Sequence, residues 1–403
     1  MLDNQPLMHL TYLLVIMMAG LLSSILANRL RMPMMLFLVI SGIGIGFLQN
    51  LLGWTSLSFG NSFIYSLSVF LLVLIVFDAT SRFNINDVDK TSSKALKLAI
   101  AVTLINLFIL SIASYYLFGL PSLWTAILFA GLIGGTAVDV VLPMLQDRVH
   151  EALTTLKLES IINTPLTVII PFFVIDIVTV SKDSSQIVGD FVVSFLQTIV
   201  TGIGAGVVIG LIIFKVMRRS YSDMISPIAL VVAALSSYIL AETLRGNGVL
   251  AVTAMGLVFA FIYVKGKSHM QEFSSVFTLF LEMIVFVLVG TLIDVRRSFD
   301  FYLLTLIGFA VILLLRGIAV QAVLTKEMNW GEKLFITLNG PKGLATAVVI
   351  LSLQVIAPPL GGLQVILDAS LLIILYSIIV ATVVTKFQTS FLGRIKKAPL
   401  AKA

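Results

Sequence analysis

The 403-residue chain contains no cysteine and few charged residues. The absence of cysteine excludes disulfides, thiol chemistry and cysteine-ligated metal sites. Lysine, arginine, aspartate and glutamate together make up 11% of the residues, whereas hydrophobic residues make up 59%. A water-soluble domain could not cover its surface with so few charges. The chain is therefore predicted to lie in a lipid bilayer.

The sequence also lacks the motifs that enzymes and ATP-driven pumps use. It has no glycine-rich GxxxxGK phosphate loop, and its longest polar stretch, around residues 82–97, is too short to form a separate nucleotide-binding domain. The three histidines, His9, His150 and His269, lie near predicted span ends, and no nucleophile constellation accompanies them. The chain is therefore predicted not to be an enzyme, to need no cofactor and to use an ion gradient.

Long apolar segments indicate transmembrane helices, because barrel strands would give a weaker ten-residue alternation. No basic residue precedes the first apolar run, so we interpret it as a retained span and not as a signal peptide. The predicted fold class is an all-α integral membrane protein of about thirteen transmembrane helices. Their approximate bounds are 8–28, 33–52, 61–80, 95–118, 122–146, 153–180, 187–214, 224–244, 248–264, 272–293, 300–324, 332–357 and 364–387.

Lysine and arginine are distributed unevenly over the predicted loops. An odd number of spans places the two termini on opposite sides, and most of the 26 basic residues fall on the side of the C-terminus. Because cytoplasmic loops carry the excess of these residues, the C-terminus is predicted to be cytoplasmic and the N-terminus to face outward, in the plasma membrane. The net charge of +6 is then explained by loops that face anionic lipid, and nucleic-acid binding is not expected.

Two predicted spans contain helix-breaking sequences near mid-membrane. The fifth contains Gly134–Asp139, and the twelfth contains Asn339–Gly343, which includes Pro341 and Lys342. The two spans are seven apart in the chain, so they cross the membrane in opposite directions. They would then be the crossed discontinuous helices of two inverted six-helix repeats. Such helices place a substrate site at the bilayer midplane. The predicted organisation is a single membrane domain over 1–403, with repeat one at 8–180, a linker helix at 187–214, repeat two at 224–387 and a short cytoplasmic tail at 388–403.

Polar residues are densest in the sixth span. Glu159 and Asn163 lie four residues apart on one helical face, and Ser160 and Thr164 share the adjacent face. Their carboxylate, amide and hydroxyl oxygens are hard ligands that suit an alkali cation. Serine, threonine and asparagine also join membrane helices by hydrogen bonds, but that role does not explain Glu159. The segment therefore predicts a cation site.

Ionisable groups inside spans cost about 2.5–3.5 kcal/mol each on insertion scales, so each needs a partner or a function. Arg316 lies deep in the eleventh span and needs a buried anion, for which Glu159 is the natural candidate. We favour this structural bridge over a freely titrating Glu159. Lys342 or Asp139 would offset the partial charges of the half-helix ends. The remaining acids divide into possible accessory residues (Asp78, Glu242 and Glu282) and residues expected near the interface (Asp176 and Asp368).

Together these motifs resemble the monovalent cation:proton antiporters, the NhaP-like sodium/proton exchangers of bacteria and archaea, over about residues 8–390. Leu158–Pro165 is similar to the Glu-Ser-x-x-Asn-Asp segment of that family, and Thr136 to the threonine of its Thr-Asp-Pro break. Gly340–Gly343 is similar to its Gly-x-Arg-Gly turn, and Ala241–Val252 and Phe280–Gly290 match further segments.

The resemblance implies a homodimer that works by elevator-type alternating access, in which a mobile core moves. It also implies cation contact by Thr136, Ser160 and Asn163, so that these residues form an alkali-cation site, and an ion bridge between Glu159 and Arg316.

Three positions depart from the family pattern. Thr164 replaces the aspartate after the asparagine, Ala137 replaces the aspartate of the Thr-Asp-Pro break, and Lys342 replaces the arginine of the turn. The first departure matters most, because competition between a proton and a cation for one buried carboxylate is the simplest coupling mechanism. Thr164 cannot titrate, although its oxygen can still bind a cation. The candidates for proton coupling are then Asp139 and Glu159.

The predicted function is secondary active exchange of Na⁺ or K⁺ for protons. One alternative is a cation channel or uniporter on the same fold with weakened proton coupling. Another is an organic-anion carrier, in which helix N-termini, Lys342 and Arg316 would hold a carboxylate, although Glu159 beside them disfavours it. Ligand types do not separate Na⁺ from K⁺, because both ions accept the same oxygens and differ in the cavity size they need.

Overall fold

A computed structural model describes residues 5–52, 60–81, 90–137, 140, 148–183, 188–219, 222, 225–262, 267–294, 297–324, 328–356, 360–393 and 396–397. Helices account for nearly all of these residues. They are α1 Gln5–Leu30, α2 Met34–Leu52, α3 Asn61–Ser81, α4 Lys90–Ile105, α5 Ser111–Leu117, α6 Leu123–Ile133, α7 Glu151–Asp183, α8 Val188–Arg219, α9 Ile225–Thr243, α10 Gly248–Phe261, α11 Lys267–Leu292, α12 Phe299–Val323, α13 Trp330–Leu338, α14 Leu344–Ile356, α15 Leu363–Lys386 and α16 Gln388–Leu392. Two short strands, β1 Arg148–Val149 and β2 Lys396–Lys397, pair antiparallel.

The helices confirm the all-α membrane class predicted from the sequence. Within the described ranges, eight helices are long and apolar enough to cross a bilayer, and five further apolar helices have 10–17 residues. The count of thirteen spans stays a prediction, as does the division into two repeats and a linker. The predicted span 95–118 is not a uniform α-helix, because a π-helical segment, Asn106–Leu110, separates α4 from α5.

Side-chain caps fix where several helices begin. The hydroxyl of Ser122 accepts a hydrogen bond from the backbone N–H of Trp124 at the start of α6, and Asn247 caps α10 through the N–H of Leu250. At α13, Asn329 and Glu332 form a reciprocal capping box. Each cap satisfies an N–H group that has no partner inside the helix, which matters most where water is scarce.

The helices pack in two groups. One group contains α1–α3 and α8–α11, with α2 packed along α11 and α8 along α10. The other contains α4–α7 and α12–α16, with α4 and α6 packed on α7 and α12 packed on α4, α13 and α15. The groups meet where α3, α10 and α11 contact α7 and α14, with α14 packed mainly along α3, and where α2 and α11 contact α15. Both helix breaks belong to the second group.

Glycines allow α2 and α11 to approach closely. A Cβ atom at Gly42 would lie 2.7 Å from the Cα atom of Gly290, which leaves no room for a side chain. Small residues at such contacts let the backbones of membrane helices touch.

Replacing Gly42 with valine is therefore expected to lower the stability of the folded protein by about 1–3 kcal/mol, because the two helices must separate. Thermal unfolding in detergent measures the effect. Gly44→Val is the matched control on the same helix, since a Cβ atom there meets nothing within 4 Å. Equal melting temperatures for the two variants would contradict the packing argument.

Candidate functional site

The two helix breaks predicted from glycine and proline lie against each other. After α6 ends at Ile133, residues 134–137 are irregular, and residues 339–343 separate α13 from α14. The backbone N–H of Ala137 donates to the carbonyl of Pro341 at 2.8 Å, so the two breaks share a hydrogen bond. A Cβ atom at Gly343 would overlap the Cβ atom of Ala137, which explains why glycine is needed there. The breaks thus form one crossing point.

Lys342 is buried at this crossing, with 2% of its surface exposed. Its ammonium donates to the carbonyl of Gly135 at 2.7 Å, and its backbone N–H donates to the hydroxyl of Ser377 on α15 at 2.9 Å. Gly135 follows the C-terminal end of α6, where the helix dipole is negative and favours a positive charge. Lys342 therefore lies beside a half-helix end, and its role in offsetting the helix dipole stays a prediction.

Beside the crossing, Glu159 on α7 and Arg316 on α12 form a buried ion pair. Two parallel contacts join them, one from Nη1 to Oε1 at 2.7 Å and one from Nη2 to Oε2 at 2.8 Å. Glu159 is 0% exposed and Arg316 is 3% exposed. The Nε atom of Arg316 donates to the carbonyl of Ile336 on α13 at 3.2 Å. A bidentate pair with further hydrogen bonds to the guanidinium is the arrangement in which burying two charges is tolerated.

Thr136 and Asn163 complete the surroundings of the carboxylate. The hydroxyl of Thr136 accepts from Nη1 of Arg316 at 2.9 Å and lies 3.3 Å from Oε1 of Glu159. The amide nitrogen of Asn163 donates to the same carboxylate oxygen at 3.3 Å. The structure thus brings Thr136, Glu159, Asn163 and Arg316 from three parts of the chain into one hydrogen-bonded network.

Two further hydroxyls of α7, those of Thr164 and Thr167, point their hydrogens at the helix backbone. They donate to the carbonyls of Ser160 and Asn163 at 2.8 and 2.9 Å, which leaves their oxygen lone pairs available. Thr164 is half-buried, and Ser160 beside it is buried. The oxygens of Thr164 and Thr167 can accept a ligand without losing these hydrogen bonds.

The amide oxygen of Asn163 is buried and has no hydrogen-bond partner among the described residues. Asn163 also lines a cavity of about 10 Å³, together with Thr103 and Thr167. A cavity of this size holds a single water-sized particle. Because the amide nitrogen faces Glu159, a flipped amide would direct oxygen against carboxylate, so the orientation is well determined. The site therefore presents an unused acceptor.

The remaining candidate residues are not seen in the network. Asp139 falls outside the residues that the structure describes. Asp78 is half-buried on α3, and Glu282 is buried on α11. Glu242 accepts the backbone N–H of Gly248 at 2.8 Å and so connects α9 to α10. None of these three belongs to the helices that form the network. Of the acids expected near the interface, Asp176 is exposed on α7, whereas Asp368 is buried on α15 and pairs with Arg297.

Several residues of the site were not found from the sequence. Ser377, which holds the break at Lys342, has no pattern that separates it from the other serines of apolar spans. The carbonyl of Ile336 binds Arg316 through its backbone alone, so its side chain gives no signal. Thr167 could have been predicted, since it lies four residues after Asn163 on the face already identified.

The chain is similar to known transporters over most of its length. A family model for the transmembrane sodium/hydrogen exchangers matches residues 13–390. The Na⁺/H⁺ antiporter ApNhaP of Aphanothece halophytica is 26% identical over 374 residues, which cover 89% of this chain and 69% of that protein. The Na⁺/H⁺ antiporter NhaH of Halobacillus aidingensis is 27% identical over 396 residues, which cover 91% of this chain and 94% of that protein.

Among solved structures, the sodium proton antiporter MjNhaP1 of Methanocaldococcus jannaschii at pH 8 superposes with a TM-score of 0.78. The match covers 97% of this chain and 100% of that one at 18% sequence identity. At this identity the likeness concerns the fold, which is the predicted antiporter-like helical architecture.

Proposed function

The chain belongs to the sodium/hydrogen exchanger family, whose members are secondary transporters and not enzymes, and from this premise we propose that it exchanges Na⁺ or K⁺ for protons by elevator-type alternating access. The exchange of a cation for protons follows from the family. The choice of ion, the coupling group and the mode of movement are our proposals.

The contact between the two helix breaks carries the proposal. The backbone N–H of Ala137 donates to the carbonyl of Pro341, and the buried ion pair of Glu159 with Arg316 lies beside this hydrogen bond. Discontinuous membrane helices expose backbone carbonyls and half-helix ends, which bind ions at the midplane of secondary transporters. Irregular backbone at this depth is tolerated where it is buried in protein or lines a cavity.

We assign cation contact to Thr136, Ser160, Asn163 and Thr164. The unpartnered amide oxygen of Asn163 and the free lone pairs of the Thr164 hydroxyl support this assignment. Thr136 retains one lone pair, because Arg316 occupies the other. All of these are neutral oxygen ligands, which alkali cations accept.

We assign Glu159 a structural role in which it joins α7 to α12 and orients Thr136 and Asn163. Both of its carboxylate oxygens accept hydrogen bonds from Arg316, which supports a structural ion pair between the two helices. Proton coupling is then assigned to Asp139, the nearest acid in the sequence to the first break. Lys342 and Arg316 hold the two breaks in place.

The two packed groups of helices support alternating access by movement of one group against the other. The group with α4–α7 and α12–α16 contains the whole network, so its displacement would carry a bound ion across the membrane. We further propose a homodimer in the plasma membrane with an outward N-terminus and a cytoplasmic C-terminus, as the distribution of basic residues predicts.

Among the alternatives, an organic-anion carrier is disfavoured by the contacts of the two buried cations. Arg316 is occupied by Glu159, Thr136 and the carbonyl of Ile336, and Lys342 donates to Gly135. Both buried basic groups are thus already engaged by groups of the protein. A cation channel or uniporter shares the same ligands and differs from an exchanger in proton coupling alone.

Replacing Thr164 with valine is expected to raise the KM for the cation about tenfold, which corresponds to the loss of about 1.4 kcal/mol of binding free energy. The change removes one ligand oxygen and keeps the volume of the side chain. Cation uptake at varied cation concentration, in liposomes that contain the purified protein, measures it. Thr154→Val is the matched control, because the hydroxyl of Thr154 also donates to the backbone carbonyl four residues earlier, that of His150, but lies at the exposed start of α7. Equal KM values for the two variants would show that Thr164 does not bind the cation.

A further inference from the structure

A small cavity lies beside Asn163, between α4, α6 and α7. Its volume is about 10 Å³, which is the space that one water molecule needs. Three polar side chains line it, those of Thr103 on α4 and of Asn163 and Thr167 on α7. Asn163 and Thr167 are buried, and Thr103 is half-buried. The rest of the wall is formed by apolar residues and glycines, so the polar groups of the cavity come from two helices, α4 and α7.

The two polar residues of α7 offer hydrogen-bond acceptors to this cavity. The amide oxygen of Asn163 has no hydrogen-bond partner among the described residues, although the residue is only 1% exposed. Its amide nitrogen is already used, because it donates to Glu159. The hydroxyl of Thr167 directs its hydrogen to the backbone carbonyl of Asn163 at 2.9 Å, so lone pairs remain on its oxygen. A ligand of the cavity must therefore donate hydrogen bonds or carry positive charge.

Water meets this requirement better than a cation does. A water molecule can donate to the oxygens of Asn163 and Thr167 and can bond to the hydroxyl of Thr103, which both donates and accepts. Buried waters typically make roughly three hydrogen bonds of this kind to groups that are otherwise unsatisfied. A cation would add positive charge beside the buried basic groups Arg316 and Lys342, and no acid lines the cavity among the described residues. A neutral donor is therefore the favoured ligand.

We propose that the cavity binds one ordered water molecule, and that Thr103 of α4 positions the side chain of Asn163 through this water. The water fixes the amide with its oxygen toward α4 and its nitrogen toward Glu159. Since a carbonyl oxygen has two lone pairs, the oxygen of Asn163 keeps one of them for a transported cation. The effect on cation binding rests on the proposed function, whereas the water site itself does not.

The shape of α4 supports a role for this helix in the site. Leu107, four residues after Thr103, lines the same cavity and belongs to the π-helical segment Asn106–Leu110. Such π-helical turns inside α-helices are frequent at functional sites. Asn106 of this segment approaches the first helix break, since a Cβ atom at Gly134 would lie 3.8 Å from its amide nitrogen. The region that begins with Thr103 therefore contacts both the cavity and the break.

A structure at a resolution that shows ordered water tests the site itself. Density for one water is expected in the cavity of the unmodified protein and of Thr103→Ser. It should weaken in Thr103→Val, which keeps the shape of the side chain and removes its hydroxyl. Replacing Na⁺ with Tl⁺ in the sample distinguishes water from a cation, because bound thallium scatters far more strongly. No density in the unmodified protein, or density that grows with thallium, would overturn the proposal.

Transport kinetics test the positioning role of Thr103. Thr103→Val is expected to raise the KM for the cation about threefold, within the range of one net hydrogen bond, and to leave the maximal rate unchanged. The reason is that the amide of Asn163 is held less firmly in the orientation that binds the cation. Thr103→Ser restores the hydroxyl and should keep the KM of the unmodified protein. A raised KM in the serine variant as well, or a loss of maximal rate alone in the valine variant, would contradict positioning through the hydroxyl.

Thr155→Val is the matched control on α7. Thr155 is buried, its hydroxyl has no hydrogen-bond partner among the described residues, and it does not line the cavity. The control should leave the KM unchanged, and equal KM values for Thr103→Val and Thr155→Val would overturn the positioning role. The density is observed without transport, so its outcome is separate from that of the exchange assay.

Discussion

Replacing Arg316 with methionine is expected to destabilise the protein by about 3–5 kcal/mol and to abolish cation transport. The change leaves the carboxylate of Glu159 buried with 0% of its surface exposed and without its bidentate partner. It also frees the carbonyl of Ile336 and removes one hydrogen bond from Thr136. Thermal and denaturant unfolding in detergent measure the first effect, and uptake into liposomes the second.

A double-mutant cycle measures the interaction free energy between Glu159 and Arg316 separately from their contacts with other residues. Glu159→Gln alone should also destabilise, because it leaves the guanidinium of Arg316 buried and unpaired. In the double variant, Glu159→Gln with Arg316→Met, no uncompensated charge remains, so the loss should be clearly smaller than the sum of the two single losses. Lys157→Met, at an exposed position of α7, is the control and should change stability little. Additive losses in the double variant would contradict the ion-pair account.

Asp139→Asn is expected to abolish proton-driven cation uptake while leaving downhill cation flux measurable. Since Thr164 and Ala137 replace the two aspartates of the family pattern, Asp139 is the acid nearest to the first break that could release a proton when a cation binds. Cation flux in proteoliposomes with and without an imposed proton gradient measures the difference. Asp176→Asn, which changes an exposed acid of α7, should leave exchange intact. Unchanged proton-driven uptake in the Asp139 variant would refute its role.

The basic and acidic groups of the described network suggest where a coupling group would act. Arg316 and Lys342 are two buried basic groups beside the proposed cation site, and the buried acid Glu159 pairs with Arg316. A bound cation would add positive charge to this region, and uncompensated charge in a low-dielectric interior is costly. We therefore expect a nearby acid to release its proton when a cation binds, which is the role proposed for Asp139.

Structural features that follow from a local sequence pattern could be predicted. Glycine and proline located both helix breaks, and the four-residue spacing of Glu159 and Asn163 placed them on one face, where both contribute to the network. Arg316 could be paired with Glu159 because a buried guanidinium has few possible anions. In each case a single strong constraint, helix geometry or the cost of a buried charge, limited the options.

Contacts between distant segments could not be predicted in this way. The carbonyl of Gly135 accepts from Lys342, and Ser377 holds the same turn, but any backbone carbonyl or serine of the apolar spans could have done so. The contact of Gly42 with Gly290 likewise depends on how two helices pack, and glycine is common in membrane helices. These features depend on tertiary structure, which local periodicity does not encode.

Cation accumulation driven by a proton gradient tests the exchange mechanism most directly. Purified protein is reconstituted in liposomes with an acidic interior and equal cation concentrations on both sides, and internal cation and pH are followed together. Exchange predicts that the cation enters against the gradient it builds while the interior becomes more alkaline, and that removal of the proton gradient stops net uptake. Absence of net uptake under the proton gradient, together with downhill flux once a cation gradient is imposed, would contradict exchange and identify the protein as a uniporter or channel.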